Sequence, residues 1–249
     1  MGHQQQQAPA SQQVPAASAG AATQSAVGPT RGNAFLAQQL SAMQVQYQAA
    51  CGAQDLSGEE RFIYEHRSEI NAAATSDVSA GLIAAVLLDE QQRRDAWDSV
   101  QDTEARFIIW YEGAIEDFEV AAWGATTGKP VAEQTFGAAQ MQPQVVEELV
   151  SGGYVPEPQG WSGDELDKSL ELLLDDASAA QLIAGRLQQT VDHWRSGDVD
   201  IGGRPEILGT LYSLGLTGSS GINESPQPNA RGQAIADSIP RMECILALP

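Results

Sequence analysis

The sequence predicts an all-α protein. Apolar residues recur every three or four positions along most of the chain beyond residue 33, and no run alternates as a half-buried strand would. Helix-opening residues stand where such stripes begin, Pro143 and Pro205 among them. Hydrophobic residues make up 42% of the 249 and charged ones 18%, a balance able to bury a core. The expected architecture is one helical domain, residues 34–249, with a central buried helix.

Residues 1–33 stand apart. Gln, Ala, Ser, Pro and Gly dominate them, and Arg31 is their only charged side chain. Such a stretch cannot bury enough surface to offset its ordering entropy, so a disordered leader is expected up to Asn33.

Leu36, Leu40, Met43 and Tyr47 then form a first helical stripe, and Ile63, His66 and Ile70 a shorter second. The third helix runs from Ala80 to Arg94 and is apolar on most sides between Leu82 and Leu88, as a helix surrounded by others must be. Ile108, Tyr111, Ile115 and Phe118 mark a fourth, ended by the glycines at 124 and 128. Pro143 opens a helix carrying Val145, Val146 and Leu149. Ser162 and Glu165 form a capping-box pattern ahead of Leu166, Leu170 and Leu173. Ile183, Leu187 and Trp194 extend the pattern, and Pro205 begins a short helix with Leu208 and Leu211. Ile235, Ile239, Met242 and Leu246 make the last stripe, in which Pro240 is expected to kink or divide the helix.

Thirteen Lys and Arg face 33 Asp and Glu, a net charge of −20, and only two of the cations are Lys. That excludes general attraction to nucleic acid or to an anionic membrane surface. No apolar run reaches membrane-spanning length, and no charged-then-apolar signal sequence opens the chain. Cys51 and Cys244 read as two buried thiols, or else as one bridge between the first helix and the last. The three histidines share no metal-ligand spacing, so no metal site is expected.

Three stretches carry candidate chemistry. The apolar helix Leu82–Leu88 runs into Asp89-Glu90, which puts the Glu90 carboxyl at the edge of a core, where desolvation favours its protonated form. A carboxylic acid kept protonated near neutral pH is what a general acid for glycosidic cleavage requires. The second stretch, Thr135 to Pro143, has small residues such as Gly137 for close backbone approach and a side-chain amide at Gln140 that can hydrogen-bond a sugar or the acid itself. The third is a short helix ending Leu211-Tyr212-Ser213-Leu214-Gly215, whose Tyr212 hydroxyl could enter a cleft. Each alone also reads as ordinary structure: a helix meeting solvent, a loop, a core tyrosine.

Taken in order, the three resemble the goose-type lysozyme and soluble lytic transglycosylase superfamily over roughly residues 77–245. That family has a helix ending in the catalytic Glu, a Ser-x-Gly-x-x-Gln-(Ile/Met) loop and a helix ending Tyr-Asn. Here these are Glu90, then Thr135-x-Gly137-x-x-Gln140-Met141, then Tyr212-Ser213. Thr135 keeps the hydroxyl of the usual Ser, whereas Ser213 removes the amide of the usual Asn. The resemblance implies cleavage of the MurNAc-GlcNAc β-1,4 bond of a peptidoglycan glycan strand, with Glu90 as general acid and no cofactor. Thr135, Gly137, Gln140, Met141 and Tyr212 would bind substrate.

Glu90 and Gly137 are separated by 46 residues, a longer spacing than the family's, and residues 92–134 look like an inserted helix beside the cleft. Asp102 and Glu104 are the candidates within it for a second carboxylate, which an inverting hydrolase needs and a lytic transglycosylase does not. The leader resembles the N-termini of effectors of contractile injection systems and of polymorphic toxins. This implies a protein made in the cytoplasm and carried out by a secretion or injection apparatus through residues 1–33. The alternatives are a catalytically inactive glycan-binding or structural component of a delivery particle, and a helical interaction protein.

Overall fold

The computed structural model describes residues 51, 56–94, 96–110, 130–157 and 165–249, with backbone alone for 96–97 and 107–110. All of them belong to the unit Met43–Pro249. The expected leader, the stripe from Leu36 to Tyr47, the Ser162 cap and the continuation of the fourth stripe beyond 110 lie outside these residues.

Among the described residues there are nine α-helices and two short 3₁₀ turns, with no strand. The helices are α1 (Gly58–Glu65), α2 (Arg67–Ala73), α3 (Ala80–Arg93), α4 (Ala96–Trp110), α5 (Pro143–Ser151), α6 (Glu165–Leu174), α7 (Ala179–Arg195), α8 (Pro205–Leu214) and α9 (Ala230–Leu246). The all-α reading holds, and its details change at three points.

The stripe through Ile63, His66 and Ile70 is two helices. Ser57 opens α1 with a capping box, its hydroxyl accepting from Glu60 N while Glu60 reaches back, and His66 at φ −99°, ψ 18° leaves the helical well. Ile63 and Ile70 are both buried, so the apolar spacing survives the break.

Pro240 lies inside α9 without dividing it. Its missing N–H interrupts one backbone bond, and packing keeps the helix continuous across it, with Ile235, Met242 and Ile245 all buried.

Cys51 and Cys244 are joined in a disulfide, with Cα atoms 5.7 Å apart, rather than standing as two buried thiols. The bridge fixes α9 to a residue 193 positions earlier.

The central helix is α3. Ser79 accepts from Leu82 N to cap it, and every residue from Gly81 to Leu88 is buried. Helices α1, α2, α7 and α9 pack around it. Helix α9 also lies directly on α8: a Cβ on Gly232 would fall 2.1 Å from Thr210 Oγ1 and 2.2 Å from the Glu206 carbonyl oxygen. The Asn229 side chain caps α9 by accepting from Gly232 N at 2.8 Å, and its own backbone N–H donates to Thr210 Oγ1 at 3.0 Å. The start of α9 is thereby set against the C-terminal end of α3. No helix among the described residues is long and apolar enough to cross a membrane.

Candidate active site

Glu90 occupies the last turn of α3 and is buried, with 7% of its surface exposed. Burial is the largest influence on its carboxyl and raises its pKa from 4.5 to about 7. Two neighbours pull in opposite directions: Arg231 lowers the value and Asp89 raises it. Arg231 Nη2 donates to Glu90 Oε1 at 2.6 Å, and its Nε donates to Asp89 Oδ2 at 2.7 Å. Asp89 is shared with Arg93, one turn on. Desolvation therefore outweighs an ion pair that by itself would hold Glu90 ionised.

The loop facing Glu90 is a tight turn. Phe136 and Met141 pair backbone to backbone at 3.0 and 3.3 Å, and Gln140 N donates to the Gly137 carbonyl at 3.2 Å. Gly137 adopts φ +67°, and a Cβ there would lie 1.6 Å from the Leu173 carbonyl oxygen, so only glycine lets the turn rest on α6. Gln140 itself sits at φ 46°, an uncommon conformation for a residue with a side chain. Its amide donates to the Gly137 carbonyl at 3.0 Å and accepts from the Thr135 hydroxyl at 3.2 Å, which fixes the side chain.

Three side chains from elsewhere hold this turn. Asp102 accepts from Gly137 N at 2.8 Å, Gln91 donates to the Ala138 carbonyl at 3.0 Å, and the Tyr212 hydroxyl donates to the Ala139 carbonyl at 2.8 Å. Tyr212 thus connects α8 to the loop, and burial raises its phenol well above the usual range.

Glu90, Thr135, Gln140, Met141 and Tyr212 all line one cleft of about 450 Å³, together with Gln142, Ser213, Arg186 and Arg231. Three stretches spread over more than a hundred residues converge. No family model, curated protein or solved structure significantly matches this chain.

Other expected residues are placed differently. Gly137 is not in the cleft lining; it shapes the turn from behind, its N–H taken by Asp102. Asp102 is buried and paired with Arg94 and Gly137 N, and it too is outside the lining. Burial raises its pKa, against the Gly137 hydrogen bond and the charge of Arg94. Glu104 is exposed on α4. Neither carboxylate faces Glu90 across the cleft, and Asp102 serves the loop instead. Ser213 lines the cleft but its hydroxyl donates back to the Thr210 carbonyl at 2.8 Å, a helix contact that an Asn amide need not make.

Arg231 and Arg186 were not anticipated. Arg231 had a readable signal: a cation in the first turn of a helix opposes the macrodipole and so needs acidic partners nearby. Arg186 lies in the middle of α7, with nothing local to separate it from a solvent-facing arginine. Among the described residues no group of His, Cys, Asp and Glu could hold a metal ion.

Proposed function

We propose that the protein cleaves peptidoglycan, as a muramidase or lytic transglycosylase acting on the MurNAc-GlcNAc β-1,4 bond. The observation that carries this reading is the meeting of Glu90, Gln140 and Tyr212 in one cleft, with the Glu90 carboxyl buried beside it. A pKa of about 7 leaves a large fraction protonated at neutral pH, the state a general acid requires.

In this reading Glu90 gives its proton to the glycosidic oxygen as the bond to the anomeric carbon breaks, leaving an oxocarbenium-like sugar. The resulting carboxylate then accepts a proton from the attacking group. That group is water in a hydrolase and the 6-hydroxyl of the same muramoyl residue in a transglycosylase. The rigid turn carrying Gln140 supplies amide contacts for the sugar, and no cofactor is needed. Asp102 is already engaged, which favours the single-carboxylate, transglycosylase form. Delivery through residues 1–33 by a secretion or injection apparatus belongs to the same proposal and is supported by the composition of that segment.

The full chain is expected to clear purified peptidoglycan and Glu90→Gln is not. Mass spectrometry of the fragments then separates an anhydro product from its heavier hydrolysed counterpart by one water. A second reading, an inactive lysozyme-like glycan-binding or structural component, draws on the Arg231–Glu90 pair and on the Ser213 hydroxyl turned into its own helix. It predicts glycan binding by wild type and Glu90→Gln alike, with no product from either.

A further inference from the structure

Among the described residues, the cleft of this strongly acidic protein is lined by two arginines, and one of them has no close carboxylate. Arg231 is fully engaged by Asp89 and Glu90. Arg186 differs. Among the described ion pairs its side chain is the least exposed of the cations, at 12%, and its contact is the longest, 3.9 Å to a Glu148 that is half exposed. Among the described residues its guanidinium makes one hydrogen bond, from Nη1 to the neutral amide of Gln189 at 2.7 Å. Burial works against its charge. A guanidinium retained there without a close counter-ion is costly to the fold, and an anion entering the cleft would offset that cost.

Its position suits such a role. Arg186 comes from α7, whereas Arg231 and Glu90 come from α9 and α3, yet the Tyr212 phenol is influenced by all three. Arg186 therefore flanks Tyr212 in the same cleft as the acid. The remaining polar lining, Thr135, Gln140, Gln142 and Ser213, is uncharged, so Arg186 is the cation there not already held by a close carboxylate.

We propose that Arg186 determines specificity by taking a carboxylate of the ligand in its planar fork, so that the preferred substrate is a glycan bearing a free carboxylate close to the bond that is broken. This rests on the glycan-cleaving reading above. In peptidoglycan the carboxylate has two sources: the lactyl group of a muramoyl residue freed of its stem peptide, or the stem peptide itself. The first requires that an amide-hydrolysing reaction strip the stem beforehand.

The test is binding of the full chain to three probes of equal length: a neutral N-acetylglucosamine oligomer, a stem-free GlcNAc-MurNAc oligomer and its stem-bearing counterpart. Wild type should bind one of the acidic probes roughly tenfold or more tightly than the neutral one, as a charge-assisted bidentate contact would give. The probe preferred identifies the source of the carboxylate. R186Q should bring the ratio to about one and R186K should keep part of it. Raising salt on wild type should shrink the ratio, a readout that needs no variant. Equal binding of neutral and acidic probes, or a preference that survives R186Q, overturns the inference while leaving the glycan reading intact. Binding of none of the three overturns both.

Discussion

Arg231 spans Asp89 and Glu90 with one guanidinium, donating to Oδ2 of the first at 2.7 Å and to Oε1 of the second at 2.6 Å. The proposed acid is thus held by a cation that lowers its pKa while its own burial raises it. Asp89 moderates the cation and is held in turn by Arg93.

Removing Arg231 should therefore make Glu90 a weaker acid. In Arg231→Met the alkaline limb of the rate profile is expected to move up by about one pH unit or more, because an opposite charge in contact is worth about that much. A pH–rate profile with an unmoved limb would show that Arg231 does not set the protonation of Glu90.

Stability should respond to the same group. The Glu90 carboxyl has a folded-state pKa of about 7 against 4.5 when exposed, so its contribution is intact below about pH 4.5 and is lost as pH rises through 7. The full loss corresponds to about 3 kcal/mol. Glu90→Gln has no such dependence and should gain on wild type between pH 4.5 and 8 in denaturant melts. Parallel stability curves for the two proteins would contradict a buried, titrating Glu90.

Asp102 and Glu104 lie two residues apart and should behave very differently. Asp102→Asn weakens the acceptor for Gly137 N and leaves Arg94 without its partner, at a cost of about 2 kcal/mol. Glu104→Gln, on an exposed face, should stay within about 0.5 kcal/mol of wild type. Turnover abolished in Asp102→Asn with an unchanged melting temperature would instead make Asp102 a reacting group.

Two glycines with positive φ separate backbone strain from steric contact. Gly153→Ala, at φ +75° with nothing within 4 Å of the added carbon, should cost about 1 kcal/mol. Gly137→Ala adds a clash with the Leu173 backbone and should cost more than about 2 kcal/mol, as well as displacing Gln140. Similar midpoints for the two variants would mean that the turn does not rest on α6 in solution.

Much of this fold is legible because its periodicity is local. Leu82 to Leu88 are continuous in sequence and read at once as a central helix. Pro143 and Pro205 sit at the first positions of α5 and α8 for a reason that needs no tertiary context. Glu90, Gln140 and Tyr212, singled out by their order along the chain, line one cleft. Asp102 was legible as an acid but not in its role, because its partner Gly137 N is 35 residues away and nothing local announces that pairing. The disulfide was open for the same reason: only the packing of α9 brings Cys244 to Cys51.

Loss of that disulfide should be felt throughout the molecule. Chain-entropy arguments for a loop of this length give about 5 kcal/mol as the upper end of its stabilisation. The paired Cys51→Ser, Cys244→Ser variant is expected to unfold at lower denaturant, and wild type under reducing conditions should match it. Coincident curves with and without reductant would mean that the bridge does not form in solution.

The same bond changes what the chain is as a physical object. Once Cys51 and Cys244 are joined, the polypeptide between them is a closed ring. A ring cannot be drawn through a pore that admits one extended strand, however completely its helices melt. A carrier that threads its cargo must act before the cysteines meet an oxidant, whereas one that encloses its cargo whole can act after. If the protein is exported by a carrier as proposed above, finding thiols or the bridge in the producing cell would tell these two kinds of carrier apart.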